Sequence, residues 1–568
     1  MASDLSHRIL AGQSLRPADL VIRNARLLDL VTGSIDDTDI AIVGERIVGT
    51  HGRFDGERVV DAAGRFVVPG FIDTHLHIES SLVTPLEFDR FVLPRGVTTV
   101  FCDPHEIANV LGAEGIAYFV ACAEASVMDI RINLSSCVPA TSFETAAARL
   151  EIDDLLPFLD HPKVHGLAEM MNYPGVLSLD PGILAKLEAF QDRHVDGHAP
   201  LLRGSALTGY LAAGIRTDHE ATGADEAMEK LRKGMAILIR EGSASKDLEA
   251  LAEILTADTS AFVALCTDDR SPLDIAEEGH LDAMIRRLIG RGCPVHHVYR
   301  AASLSAARIF GLRDRGMVAP GWRADLVLLD DLEACRVSDV VAGGRLVERA
   351  LFDARPAVAP VGLASMKAEP VTPEHFRQPA VGPTCDAAVI GVKAGLLLTA
   401  RLGATLAVVE GEAQPDLGQD VLKLAVVERH GRNGNVGLGF VNGFGLQRGA
   451  IASSVAHDSH NITVVGTNAQ DMAAAVNGVI ARGGGFAVAD EGHVVAALAL
   501  PMAGLMSVEP VDTVIHDLEA LVAAARGLGC SLLEPFLQLA FLALPVIPHL
   551  KLTDRGLFDV DRFAFVEG

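Results

Sequence analysis

Residues 69–81 read PGFIDTHLHIESS, and this stretch decides the fold. The apolar run "VVPGFID" reads as a short buried strand, and His75 and His77 leave its C-terminal end with one leucine between them. In an extended strand, residues i and i+2 point to the same face. The two imidazoles therefore stand side by side, an arrangement that suits a divalent cation. With 20 histidines in 568 residues, about 0.7 such spacings are expected by chance. Its meaning depends on what surrounds it.

Working outward, the segment from about 69 to 315 alternates strand-like runs with helical stretches such as "GADEAMEKLRKG". The strand-like runs are "VVPGFID", "GVTTVFCD", "RINLSSCV", "KVHGLAE", "RHVDGHA", "GIRTDHE", "MAILIREG" and "AFVALCTDD". About eight β/α units over roughly 250 residues predict a (β/α)8 TIM-type barrel, whose active site lies at the C-terminal ends of its strands. Short strands with turn signals flank it on both sides, in "DLVIRNARLLDL" and "DIAIVGERIVGT" before it and "MVAPGWRADLVLLD" after it. They predict a small β-sandwich built from both flanks. A Pro- and Ala-rich stretch, "VAPVGLASMKAEPVTPEHFRQPAVGPTC", reads as a linker to a further α+β domain. The expected division is 1–68 and 316–355 for the β-domain, 69–315 for the barrel, 356–384 for the linker and 385–568 for the C-terminal domain.

The proposed strand ends carry a pattern. The first ends in His75 and His77, the second in Asp103, His105 and Glu106, and the fourth in Glu169. The fifth ends in His198, the sixth in His219, and the eighth in Asp268 and Asp269. Any one of these is readily a hydrogen-bonded loop residue; together, at successive strand ends, they point to a metal site.

An H-x-H pair followed by an acidic residue, two histidines and an aspartate resembles the amidohydrolase superfamily. Within it, "PGFIDTHLHIESS", "GVTTVFCDPHEIANVLG", "GLAEMMNYPGV" and "CTDDR" are similar to the adenine deaminase family, as are "NGFGLQRGAIASSVAHDSHN" and "VVGTNAQDM" near the C-terminus. This resemblance spans essentially the whole chain. It implies two divalent ions per chain, Mn2+ or Fe2+ in preference to Zn2+. His75, His77 and Asp268 would hold one, His198 and His219 the other, and Glu169 would bridge them. Many binuclear amidohydrolases use a carboxylated lysine at the bridging position; here a glutamate stands there, and Lys163 lies at the opposite end of the same strand. The implied reaction is hydrolytic deamination of adenine to hypoxanthine and ammonia, with Asp268 as the proton acceptor. His105 or Glu106 would orient the purine or shuttle protons, with Asp103 on the same rim; a hydrogen-bonded turn is the alternative for all three. His457 and His460, in "AHDSHN", either close over the substrate or form a polar turn.

Composition narrows the field. A net charge of -26 without Lys/Arg blocks argues against nucleic acid and anionic membranes as partners. The start "MASDLSHRIL" lacks a signal-peptide core, and "FLQLAFLALPVIPHL" is too short and too broken by proline to span a bilayer. Eight cysteines with no C-x-x-C suggest free thiols in a cytoplasmic protein, with a homo-oligomer the default expectation. The missing C-x-x-C also excludes the other zinc deaminase fold. Two rival readings share the barrel: a hydantoinase- or dihydroorotase-like cyclic amide hydrolase, which should carry the strand-four lysine, and a non-catalytic binding protein, which should have lost ligands.

Overall fold

Strand Ala18–Leu28 alternates its side chains between two cores. Leu20, Ile22 and Leu27 pack with Ile40 and Ile42 on one face, and Val21 packs with Ala41, Val43 and Phe54 on the other. The helix Asp4–Gly12 covers this second face through Ala11. The structure is a computed structural model that describes residues 4–566. Ala18–Leu28 pairs with Ile35–Val43 along one edge. Along the other it pairs first with Gly56–Asp61 and then with Phe66–Pro69. The second flank joins through Leu326–Asp331, which pairs antiparallel with Phe66–Pro69. Both flanks thus make one hydrogen-bonded eight-stranded sheet, which curls so that its ends meet, Ile47 N–H donating to Trp322 C=O at 2.9 Å. The length of Ala18–Leu28 lets it take two partners in succession on one edge and carry the ladder through both.

Phe66–Pro69 hands the chain to the central α/β region. Each strand-like run of the sequence overlaps a parallel strand there. Phe71–Leu76, Val97–Cys102, Asp129–Leu134, Val164–Met170 and His194–Gly197 form one arc. Thr217–Asp218, Ala236–Arg240 and Val263–Cys266 form a second. The arcs are not one continuous ladder. At one seam Asp268 N–H donates to His75 C=O at 3.0 Å, and at the other Arg216 N–H donates to Val195 C=O at 3.1 Å. Close approach at the second seam explains Gly197, where a Cβ would sit 2.4 Å from the Thr217 carbonyl oxygen.

The C-terminal part is built on a nine-stranded sheet, antiparallel except where Thr384–Gly391 runs parallel to Val436–Asn442. The helix Ala469–Ala481 packs Met472, Val476 and Val479 onto one face of it. The Pro-rich segment expected as a linker is not free. Val371 and Phe376 are buried in the same cluster, and the Asn477 amide bonds both the N–H and the C=O of Val371, at 2.9 and 2.8 Å. Proline excludes regular hydrogen bonding there but leaves apolar side chains that still find a core. The C-terminal part packs on the central region: Ser507 N–H donates to Leu82 C=O at 2.7 Å, and Asp554 accepts from Thr145 N–H at 2.9 Å. Among the described residues no helix is long and apolar enough to cross a membrane.

At the end of the strands away from the histidines, Asp129 is buried among three cations. Lys163 lies 2.8 Å from its carboxylate, Arg131 2.8 Å and Arg315 2.6 Å. Burial opposes its ionisation, yet Lys163, Arg315 and Arg131 hold its carboxyl well below the usual range. Its contribution to stability is therefore present above the unfolded carboxyl pKa of about 4 and is lost as pH falls through the folded value. Asp129→Asn is expected to destabilise the fold by about 3–5 kcal/mol at pH 7, seen as a lower denaturation midpoint. The gap between variant and wild type should narrow as pH drops below about 4.

Candidate active site

The end of Phe71–Leu76 delivers both histidines of the opening motif, and each ring is oriented by its Nδ1. His75 Nδ1 lies 2.9 Å from Asp196 Oδ2, and His77 Nδ1 lies 3.0 Å from the Asp103 carbonyl oxygen. Both rings therefore present Nε2 to the same point. This is the outer support that metal-ligating histidines ordinarily have.

Glu169 lies where the strand ends converge. Its Oε1 is 3.3 Å from His77 Nε2 and 3.9 Å from His75 Nε2. Its Oε2 is 2.7 Å from His198 Nδ1 and 3.4 Å from His219 Nε2. One carboxylate thus offers a separate oxygen to each histidine pair. Asp268 Oδ1 faces the first pair, 3.2 Å from His77 Nε2 and 3.7 Å from His75 Nε2. The His75 and His219 rings stack at 4.0 Å and tie the two halves together. All six side chains are buried.

Such a cluster needs cations. Burial works against ionised Glu169, but the imidazoles of His198, His219 and His77 hold its carboxyl well below the ordinary range. Burial likewise disfavours a charged His75, yet Asp196, Asp268 and Glu169 lift it to about 10. His75 Nε2 and both nitrogens of His219 are buried without a hydrogen-bond partner. Buried polar atoms are seldom left so, and metal ligation satisfies them. His75, His77 and Asp268 form one group able to hold a metal ion, and Glu169, His198 and His219 form another. The donor set therefore fits a metal centre of imidazole and carboxylate ligands, with no thiolate.

Of the two adjacent aspartates, Asp268 faces the cluster. The strand does not continue in extended form; Asp268 adopts a left-handed backbone with φ 55°, a region aspartate tolerates better than most residues. Asp269 then turns aside to the Ser80 hydroxyl.

The second strand contributes a rim rather than a turn. Asp103 bonds Ser135 Oγ at 2.8 Å and His105 Nδ1 at 2.9 Å. His105 Nδ1 also lies 3.4 Å from Glu169, and its Nε2 lies 3.2 Å from Glu106. The C-terminal histidines reach this rim. His457 Nδ1 is 2.5 Å from Glu106 Oε1, and His460 Nε2 lies against Glu106 Oε2. His460 Nδ1 accepts Ala456 N–H at 3.2 Å, which puts the ring proton on the Nε2 that faces Glu106. Burial opposes a charged His457, but Glu106 raises it to about 9. Beneath them, burial and the Glu106 charge push the Glu79 carboxyl up to about 8. His194 plays no part in the cluster; its ring packs 4.2 Å from Phe310.

Three supporting residues escaped the sequence reading. Asp196 orients His75, and Glu220 lies 3.7 Å from His198 Nδ1 and 3.6 Å from His219 Nε2. Arg240 lies 3.0 Å from Asp268 Oδ2. Position was a signal for two of them, since Glu220 directly follows His219 and Arg240 closes the seventh strand. Beside the cluster opens a cavity of about 760 Å³. Glu220, Arg240 and Asn172 line it from the central strands, and Leu397, Ile547 and Phe563 line it from the C-terminal part.

Fold and site together are those of the amidohydrolase class, and residues 66–347 match the amidohydrolase family model. Residues 396–564 match the model of the adenine deaminase C-terminal domain. The chain is 62% identical over 566 residues to an adenine deaminase of Methylobacterium nodulans, covering 100% of both. It is 60% identical to those of Cereibacter sphaeroides and Gluconobacter oxydans, again covering 100% of each. The chain belongs to the adenine deaminase family.

Replacing Glu169 with Gln removes the negative charge shared by the two halves. Elemental analysis of Glu169→Gln should show at least one ion fewer per chain than wild type, with most activity lost. Full metal occupancy would rule out a bridging role.

Proposed function

We propose that this chain hydrolyses adenine to hypoxanthine and ammonia, using two divalent ions held by His75, His77, Glu169, His198, His219 and Asp268. The observation that carries this reading is Glu169, whose two oxygens face two separate histidine pairs in a chain aligned end to end with adenine deaminases. Mn2+ or Fe2+ is favoured over Zn2+ by the family resemblance. When bound, the ions supply Lewis acidity that lowers the pKa of a water and stabilises charge developing at C6.

The protein's own groups do the rest. Asp268 accepts the proton of the attacking water and passes it toward the ring or the leaving amine. His105 and Glu106 orient the purine or carry protons, with Asp103 fixing the His105 ring. His457 and His460 act on the substrate side through Glu106, which they hold from the C-terminal part. The two strand arcs work as one (β/α)8 barrel at 69–315, between the flanking β-domain and the C-terminal domain at 385–568. Lys163 is bound to Asp129 at the far end of its strand, which disfavours the cyclic amide hydrolase reading.

The cavity suits a flat, uncharged base. Its walls are largely apolar, and its two cationic side chains are already engaged. Arg240 is surrounded by Glu220, Asp247 and Asp268, and Lys246 lies 3.7 Å from Asp274. A phosphate entering here meets carboxylates without a free cation. Ammonia release by metal-reconstituted protein should therefore show a kcat/KM for AMP at least about 100-fold below that for adenine. Comparable values for the two substrates would defeat the assignment of this cavity. Asp268→Asn should keep the fold and most metal but lower kcat by about 10²–10⁴-fold, whereas Asp269→Asn should be milder.

A further inference from the structure

Arg240 is the most completely engaged cation of the site, yet it faces the cluster from outside the ligand set. It is 2% exposed and ends the strand Ala236–Arg240. Its Nε lies 3.0 Å and its Nη2 2.9 Å from Asp247 Oδ2. Nη1 lies against Glu220 Oε1, and Nη2 is 3.3 Å from Glu220 Oε2. Nη1 also donates to Asp268 Oδ2 at 3.0 Å. Every nitrogen of the planar fork is thus fixed. Asp247 is pinned in turn, its N–H donating to the Arg240 carbonyl at 3.1 Å. One guanidinium ties together the ends of the sixth, seventh and eighth central strands.

We infer that Arg240 is the positioning residue for Asp268: it fixes the plane of the carboxylate so that Oδ1 faces the histidines while Oδ2 is held away. The inference rests on the deaminase reading above, in which Asp268 moves the proton. Two features favour positioning over simple bracing. Asp268 sits in a left-handed backbone with φ 55°, and its bridge to Leu76 fixes the backbone but not the plane of the carboxylate. Arg240, Glu220 and Asp247 also form part of the wall of the cavity beside the cluster, so the clamp borders the space proposed for the base. A lysine cannot reproduce it, because a single ammonium lacks the rigid fork that grips two carboxylates while reaching a third.

The test uses the full chain reconstituted with Mn2+, and wild type is assayed on adenine first, so that failure of the deaminase reading is seen separately. Arg240→Gln and Arg240→Lys should lower kcat by about 10–100-fold, with KM for adenine and metal content unchanged. Added guanidinium ion should restore part of the Arg240→Gln loss and none of the loss in Asp268→Asn. Removing the cation leaves buried carboxylates unpaired at a cost to the fold, so Asp247→Asn provides a second probe. It keeps Arg240 and its bond to Asp268 but loosens the guanidinium plane, and it should give a smaller fall in kcat at constant KM and metal. A loss of activity that tracks loss of metal, or that excess Mn2+ reverses, would overturn the inference. So would wild-type kcat in folded Arg240→Gln and Asp247→Asn.

Discussion

One buried carboxylate organises this molecule. Glu169 is placed among the imidazoles of His75, His77, His105, His198 and His219, which come from four different strand ends. A charge taken out of water is tolerated only if it is paired and its lone pairs are satisfied. The strands that deliver those imidazoles must therefore be held in register, and the scaffold does this from below. Asp129 gathers Lys163, Arg131 and Arg315 at the opposite strand ends. Divalent ions are the natural complement to a centre in which carboxylates and imidazoles otherwise face one another.

The site is not the property of the central strands alone. Glu106 leaves the second strand and is met by His457 and His460 from more than three hundred residues away. The ring of His457 stacks on Phe541 at 4.5 Å, so its position follows the packing of the C-terminal part. The same part supplies Leu397, Ile547 and Phe563 to the cavity wall. The candidate site and the C-terminal packing are thus linked through one carboxylate and one wall.

Several features were legible in the chain because they are local. Period-two alternation placed His75 and His77 on one side of a strand. Apolar runs ending in polar residues marked the other ligand positions, since each strand must pass from the buried core to the rim where the site lies. The C-terminal "AHDSHN" drew attention as an unusual pair of histidines, but nothing local could connect it to Glu106. The sheet made from both flanks was legible as β-structure, yet its pairing was not, because two partners compete for one edge of Ala18–Leu28. In the proline-rich segment, composition reports on backbone hydrogen bonding and says little about where Val371 and Phe376 find a core.

By itself, the sequence determined the succession of strands and the histidines and carboxylates at their ends, Glu169 among them. These follow from chain geometry over a few residues. Only the tertiary structure decided that Asp196 would orient His75, that Arg240 would clamp Asp268, and that Asp268 would turn inward through a left-handed backbone. Each of those depends on which strand ends meet across the closing arcs. That meeting is set by packing and by the desolvation of charge among elements far apart in the chain, which no local pattern encodes.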